Sequence, residues 1–270
     1  MRAVALCRVQ KDPAYGTIAA LVVASLLFIA APLRAGEIKV LTSGAFTAPF
    51  LEVVPQFEHA SKQKVVTAFG ASMGGAPDSI PSRLQRGEPV DVVILAAPAL
   101  EDLIKQGKVV AGSRVDLVRS RIGIAVRKGA PRPDISSVEA LTRALLQAKS
   151  IAYSDSASGT YLSTVLFPRL GISDQIKGKS KRIAGAVGPV VARGEAEIGF
   201  QQISELLPVE GIDYIGPVPG DAQQVTIFSA GIVTGAKEPE AAKALITFLA
   251  SPAVAPVITK SGLEPLTASR

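Results

Sequence analysis

Short apolar runs alternate with segments of helical periodicity along most of this chain. Residues 37–42 predict a strand, and residues 45–60 predict a helix with one buried face of aromatic and aliphatic side chains. The run of residues 90–95 is apolar without alternation, which is typical of a parallel strand covered on both faces. Because strands and helices alternate at this spacing, the sequence predicts an α/β fold with mainly parallel sheets flanked by helices.

Two longer extended segments interrupt this alternation, at residues 114–128 and 225–234. We interpret them as two crossings between lobes, so that the C-terminal helices belong with the first lobe. The predicted division is a lobe 1 of residues 36–115 and 225–270 and a lobe 2 of residues 116–224.

The first 35 residues have the pattern of a secretory signal peptide. Basic residues precede an apolar run between Thr17 and Pro32, and the segment ends with the small residue Ala35. The alternative is an uncleaved membrane anchor, but a run of about 16 residues is shorter than the roughly 20 that span a bilayer. We therefore expect residues 1–35 to be removed and the exported chain to be a monomer in the periplasm.

Charge and cysteine content limit the classes of partner and site. The chain has 29 basic and 23 acidic residues and a net charge of +6, of which the predicted signal peptide contributes four basic residues and one acidic residue. The remaining net charge of about +3 gives no argument for a nucleic-acid partner. The only cysteine, Cys7, lies in the same segment, so we expect no disulfide in the exported chain. One histidine and scattered carboxylates give no metal-ligand spacing, so no side-chain metal site is expected.

A glycine-rich turn at residues 70–75 follows a predicted strand and is a candidate ligand cradle. Glycine lets several main-chain N–H groups face one point, and Ser72 adds a hydroxyl beside them. A helix predicted to begin near Pro77 would add its positive end, so the turn suits an anion or another compact polar ligand. The alternative is a strand-to-helix turn that is rich in glycine for steric reasons alone.

Five segments, through their order and spacing, resemble the periplasmic molybdate-binding proteins of ABC transporters over nearly the whole chain after residue 35. They are residues 38–46, 65–72, 87–94, 193–199 and 261–263. The resemblance implies a two-lobed periplasmic-binding-protein fold of type II that closes around a tetrahedral oxyanion, molybdate or tungstate. It implies a receptor that delivers this ligand to an inner-membrane ABC permease, that is not an enzyme and that needs no cofactor.

The resemblance also implies which residues bind the ligand, through neutral hydroxyls and backbone N–H groups. Ser72 stands at the position of the second family serine, whereas Ala45 stands at the position of the first, with Ser43 two residues earlier as a replacement. Gln202 stands where the family often has a tyrosine. The expected ligand-binding residues are Ser43, Gly44, Ala45, Ser72, Ser158, Gly159, Ala184 and Gln202.

Other interpretations of the same turns stay open. The segment of residues 70–74 matches the G-x-S-x-G pattern of α/β-hydrolases, which would make Ser72 the nucleophile of a secreted serine hydrolase. That fold needs a histidine after the serine, whereas His59 precedes it. Within the receptor class, another small anion or an organic acid stays open as the ligand. Asp155 either has a structural role, by capping its helix or accepting N–H groups within its own turn, or faces the ligand. In the second case a cationic or protonated ligand is favoured.

Overall fold

The computed structural model describes residues 36–266 of the chain. The strands are β1 Glu37–Thr42, β2 Lys64–Phe69, β3 Val92–Ala96, β4 Val115–Arg127, β5 Ile151–Ser154, β6 Ser180–Ile183, β7 Ile198–Gln202, β8 Ile212–Pro217, β9 Val225–Ile232 and β10 Glu264–Pro265. The α-helices are α1 Gly44–Ser61, α2 Ile80–Gln85, α3 Ala97–Lys105, α4 Val138–Gln147, α5 Ala157–Tyr161, α6 Phe167–Arg169, α7 Ser173–Lys177, α8 Gly188–Ala192, α9 Ile203–Leu206, α10 Pro239–Leu249 and α11 Ala255–Lys260. A π-helical segment, Leu162–Leu166, joins α5 to α6, and single 3-10 turns occur at Gly220–Ala222 and Pro252–Val254.

Two groups of parallel strands flank a pair of long antiparallel strands. The strand order is β2-β1-β3-β9-β4-β7-β5-β6, and β8 and β10 also pair with β4. The strands β2, β1 and β3 are parallel to one another, as are β7, β5 and β6. This is the α/β fold with parallel sheets that the apolar runs predict.

The strands β4 and β9 are the two predicted crossings. The first half of β4 pairs antiparallel with β9, and the second half pairs with β7 and β8. Because β9 also pairs with β3, these two strands connect one parallel group to the other. The extended character of both segments is therefore confirmed.

Each parallel group has its own hydrophobic core. One cluster contains buried side chains from β1, β3, α1, α10 and α11, and a second contains buried side chains from β5, β7, α4 and the π-helical segment. The C-terminal helices thus pack beside β1 and β3, as expected for a chain that crosses twice. The exact limits of the two lobes stay a prediction.

Two local predictions differ from the structure. The helix after the glycine-rich turn begins at Ile80 and not near Pro77, because Ser79 is its N-cap and accepts a hydrogen bond from the Ser82 N–H at 3.3 Å. The basic residues of segment 177–182 predict a linker, whereas in the structure this segment contains the edge strand β6, which pairs in parallel with β5. An edge strand exposed to solvent has no need of an apolar pattern.

The predicted signal peptide and Cys7 lie outside the described residues. Within residues 36–266, no single helix has the length and apolar character needed to cross a membrane. Among the described residues, one pair of segments has the combined length and apolar composition of a broken span: α10 and residues Pro252–Lys260, which are bent by 54° from it.

Candidate functional site

The carboxyl ends of several parallel strands meet at one cavity of about 240 Å³. In the first group, Thr42 at the end of β1 is in register with Phe69 of β2 and Ile94 of β3, so these strands end at the same edge. The segments that follow β1, β2, β5 and β7 all line this cavity. In open α/β sheets such an edge is where ligands bind.

Two helices present their amino ends to the cavity. Helix α1 begins at Gly44 directly after Ser43, and α5 begins at Ala157 directly after Ser156. All four of these residues line the cavity. The free backbone N–H groups and the positive dipole end of a helix favour a bound anion, such as a carboxylate.

Two buried polar side-chain atoms at the cavity, Ser43 Oγ and Gln202 Nε2, have no hydrogen-bond partner within the described part of the chain. The Ser43 hydroxyl is 1% exposed, and the side-chain nitrogen of Gln202 belongs to a residue that is 2% exposed. The Gln202 Oε1 atom already accepts a hydrogen bond from the Ser120 hydroxyl at 2.7 Å, so the unpaired amide group is a donor. Since an unpaired buried donor is costly, both groups are suited to a ligand.

Ser72 is fully buried and keeps a hydrogen available for a ligand. Its Oγ atom accepts a hydrogen bond from the Ala96 N–H at 3.0 Å, which leaves the hydroxyl hydrogen free to donate. The Ser72 N–H donates to the Ser156 hydroxyl at 3.2 Å, so the turns after β2 and β5 touch across the cavity.

The structure brings most of the predicted site residues together. Gly159 and Ala184 lie outside the cavity lining, each next to a lining residue. A Cβ at Gly159 would lie 1.6 Å from the Ser154 carbonyl oxygen, so this glycine allows the close packing of α5 on β5. That these groups bind a ligand stays a prediction. Six of the eight line the cavity: Ser43, Gly44, Ala45, Ser72, Ser158 and Gln202.

A carboxyl group that the sequence patterns did not indicate, that of Glu205 in α9, also lines the cavity. Its Oε1 atom accepts a hydrogen bond from the Gln201 side-chain nitrogen at 2.8 Å. Burial raises the pKa of Glu205 to about 7, against the opposing effect of hydrogen bonds from Gln201 and the Gln202 backbone. A carboxyl group with a pKa near neutrality can both take and return a proton, which makes it a candidate general base and acid.

The rest of the lining is a mixture of further carboxylates and apolar walls. Asp78 and Asp155 line the cavity together with Glu205. The N-cap of α5 is Ser156 and not Asp155, so Asp155 does not cap this helix, and whether its carboxylate faces a ligand stays a prediction. The rings of Phe69 and Phe228 add apolar surface.

The geometry does not support a hydrolase based on Ser72. His59 is exposed on α1 and is not among the residues that line the cavity. A serine nucleophile needs a base within hydrogen-bond reach, and the Ser72 oxygen instead accepts a backbone N–H.

The fold is the two-lobed periplasmic-binding-protein fold. The structure of the Azotobacter vinelandii periplasmic molybdate-binding protein matches it with a TM-score of 0.67 at 18% identity, covering 84% of this chain and 98% of that one. Residues 38–264 match the family described as bacterial extracellular solute-binding protein. The chain belongs to this family of ABC-transporter solute-binding proteins, and the predicted resemblance to molybdate-binding proteins is confirmed.

The relatives of this chain include an enzyme and a binding protein. The chain is 47% identical over 253 residues to a Pseudomonas sp. protein named Aconitate isomerase, covering 92% of this chain and 97% of the relative. It is 32% identical over 247 residues to the Molybdate-binding protein ModA of Azotobacter vinelandii, covering 88% of this chain and 93% of that relative. The prediction that the chain is not an enzyme is therefore wrong, because a relative this similar over nearly its full length is an isomerase. Glu205 is not marked by any sequence pattern, so no catalytic group for an isomerase was expected.

Proposed function

We propose that this chain is an isomerase that interconverts cis- and trans-aconitate in the cavity between its two lobes. The observation that carries the proposal is the Glu205 carboxyl group, which lines the cavity with a pKa of about 7. The 47% identical relative named Aconitate isomerase supports it independently. Under this proposal the scaffold of a solute receptor holds a reacting substrate.

The isomerisation of aconitate needs only a proton transfer. Aconitate has a chain of three carbons, each of which carries one carboxylate. The central carbon is joined by a single bond to a CH2 carbon and by a double bond to a CH carbon. A base takes one methylene proton, and the electron pair spreads over the three-carbon unit and its carboxylates. When the proton returns to the other terminal carbon, the double bond has moved to the former methylene arm.

The geometry of the new double bond depends on how the methylene arm was held. If one terminal carboxylate lies on the same side as the central carboxylate and the other lies on the opposite side, each transfer exchanges the cis and trans forms. No rotation about a double bond and no oxidant or reductant is required. The task of the protein is to fix this conformation and to supply one group that accepts and returns the proton.

The described residues match these tasks. Glu205 in its ionised form accepts the proton, and its neutral form returns it. The amino ends of α1 and α5, the Ser72 hydroxyl and the unpaired donors of Ser43 and Gln202 bind carboxylates and the negative charge that spreads over them. The rings of Phe69 and Phe228 contact the carbon skeleton, a part that a tetrahedral metal oxyanion does not have.

The test is turnover of trans-aconitate by the exported form, followed by NMR detection of cis-aconitate. Removal of a general base lowers the rate by roughly 10²- to 10⁴-fold, so Glu205→Gln is expected to lose at least 100-fold in kcat. Glu210→Gln, the same substitution at an exposed position nearby, is the matched control and is expected to keep full activity. The proposal fails if the wild-type protein is inactive or if Glu205→Gln is as active as the control.

A second candidate function is an oxyanion receptor that binds molybdate or tungstate and delivers it to an inner-membrane permease. Relatives named Molybdate-binding protein ModA, at 32% and 26% identity, and the uncharged donors of the cavity favour it. Calorimetric titrations with molybdate and with aconitate separate the two candidates. The receptor predicts saturable binding of molybdate, whereas the isomerase predicts saturable binding of aconitate and no binding of molybdate. Under either proposal the exported chain is a periplasmic monomer released from its signal peptide.

A further inference from the structure

We propose that Gln201 is a positioning residue, which holds one oxygen of the Glu205 carboxyl group against Gly44 and leaves the other oxygen to exchange the substrate proton. This inference rests on the proposed function and names a residue through which the same site is tuned. It concerns three residues from three elements of the fold: Gln201 at the end of β7, Glu205 in α9 and Gly44 at the start of α1.

The orientation of the Gln201 amide is set by a backbone group. Gln201 is 3% exposed, and its Oε1 atom accepts a hydrogen bond from the Val187 N–H at 2.8 Å. Because that oxygen faces a donor, the amide nitrogen points the other way, where it donates to Glu205 Oε1 at 2.8 Å. Gln201 therefore links the segment before α8 to the carboxyl group.

The same carboxylate oxygen lies directly against Gly44. A Cβ built on Gly44 would lie 1.9 Å from Glu205 Oε1 and 2.8 Å from its carboxyl carbon. No side chain larger than hydrogen fits there while the carboxyl group keeps this place. The oxygen is thus enclosed by Gln201 on one side and by the start of α1 on the other, so Oε2 is the atom available for proton transfer.

Burial and hydrogen bonds, and not a neighbouring charge, account for the shifted pKa of Glu205. Of the side chains that line the cavity, Asp78 and Asp155 carry charge besides Glu205. Helix α9 packs on α1, β4 and β7, and residues 203 and 207 also contact Gly262. The charged side chains on α1 and β4 and on the two sides of Gly262, all outside the cavity lining, are Glu52, Glu58, His59, Asp116, Arg119, Arg121, Arg127, Lys260 and Glu264.

The direction of the effect follows from the donor. A hydrogen bond from an amide N–H stabilises the ionised carboxylate, so Gln201 lowers the pKa of Glu205 while burial raises it. Gln201→Leu removes both hydrogen bonds of the amide. Gln201→Glu keeps an acceptor for the Val187 N–H but replaces the donor with a second carboxylate, which separates the loss of the donor from the loss of the backbone contact.

The experiment measures the titration of Glu205 in two ways, by the pH dependence of kcat/KM for aconitate and by the carboxyl signal of ¹³C-labelled glutamate. The spectrum of Glu205→Gln assigns the signal. Loss of a hydrogen bond to a charged group is expected to move the midpoint upward by about 1–2 pH units in Gln201→Leu, and further in Gln201→Glu. Gln56→Leu, at an exposed position of α1, is the control and should leave both midpoints in place.

Each outcome decides a separate claim. An unchanged NMR midpoint in both Gln201 variants overturns the positioning role, even if kcat falls. Absence of turnover by the wild-type protein overturns the proposed isomerase instead, and the NMR midpoint still shows whether Gln201 sets the state of Glu205. Parallel upward shifts of both profiles support the inference.

Discussion

Raising the pH through neutrality is expected to destabilise the ligand-free protein through the carboxyl group of Glu205. Burial raises its pKa from the ordinary value of 4.5 to about 7, so the folded state holds a proton that the unfolded state has released between these two values. The contribution is fully present below about pH 4.5 and is lost as the pH rises through 7. At about 1.36 kcal/mol for each pH unit, the loss is at most on the order of 3 kcal/mol.

Urea unfolding of the wild-type protein and of Glu205→Gln at pH 5 and pH 8 measures this contribution. The amide is uncharged throughout. The free energy of unfolding of the variant is therefore expected to rise by about 2–3 kcal/mol relative to that of the wild type from pH 5 to pH 8. Other titrating groups cancel in the comparison, and Glu210→Gln, with its exposed carboxylate, should behave as the wild type does. Stability curves of the wild type and Glu205→Gln that stay parallel from pH 5 to pH 8 would refute a buried carboxyl group with a raised pKa.

Two further substitutions test the donors and the fit around Glu205. Ser43→Ala removes a hydroxyl that has no partner within the described residues, so it should leave the stability of the free protein nearly unchanged while weakening aconitate binding by about 10- to 150-fold in calorimetry. Ser79→Ala is the matched control, since it removes the N-cap of α2 and should cost about 0.5–2 kcal/mol of stability without changing affinity. Gly44→Ala should keep the fold and lower kcat, because its Cβ displaces the Glu205 carboxyl group, and normal kcat would show that the carboxyl group is not held there.

The long periodic elements were predictable because their patterns are set locally by burial. Helix α1 and the strands β4 and β9 lie close to their predicted positions. The strand β6 was missed because it is an exposed edge strand with basic residues, and β8 carries Gly216 and ends at Pro217, residues that normally argue against a strand. These strands form through pairing with neighbours that the local sequence does not contain.

The presence of Ser43 and Ser72 at the cavity could be predicted from the sequence, and that of the Glu205 carboxyl group could not. Ser43 and Ser72 follow strands in polar turns, a signal that is visible in the sequence. Glu205 by sequence is an ordinary carboxylate in the first turn of a helix. Its role depends on the packing of α9 against α1, where the Ser204 hydroxyl donates to the Ala45 carbonyl at 2.7 Å across 159 positions of the chain. The sequence signal that was available is the pair of polar residues Gln201 and Gln202, four and three positions before Glu205.

The central claim is proton transfer between the two terminal carbons of aconitate, and an isotope label tests it most directly. We predict that trans-aconitate with both methylene hydrogens replaced by deuterium gives cis-aconitate with deuterium on the double-bonded carbon and no more than one deuterium on the new methylene carbon. NMR distinguishes these positions. Conversion that leaves both deuterium atoms together on the methylene carbon would mean rotation about the double bond without proton transfer. That result, or no conversion at all, would contradict the account.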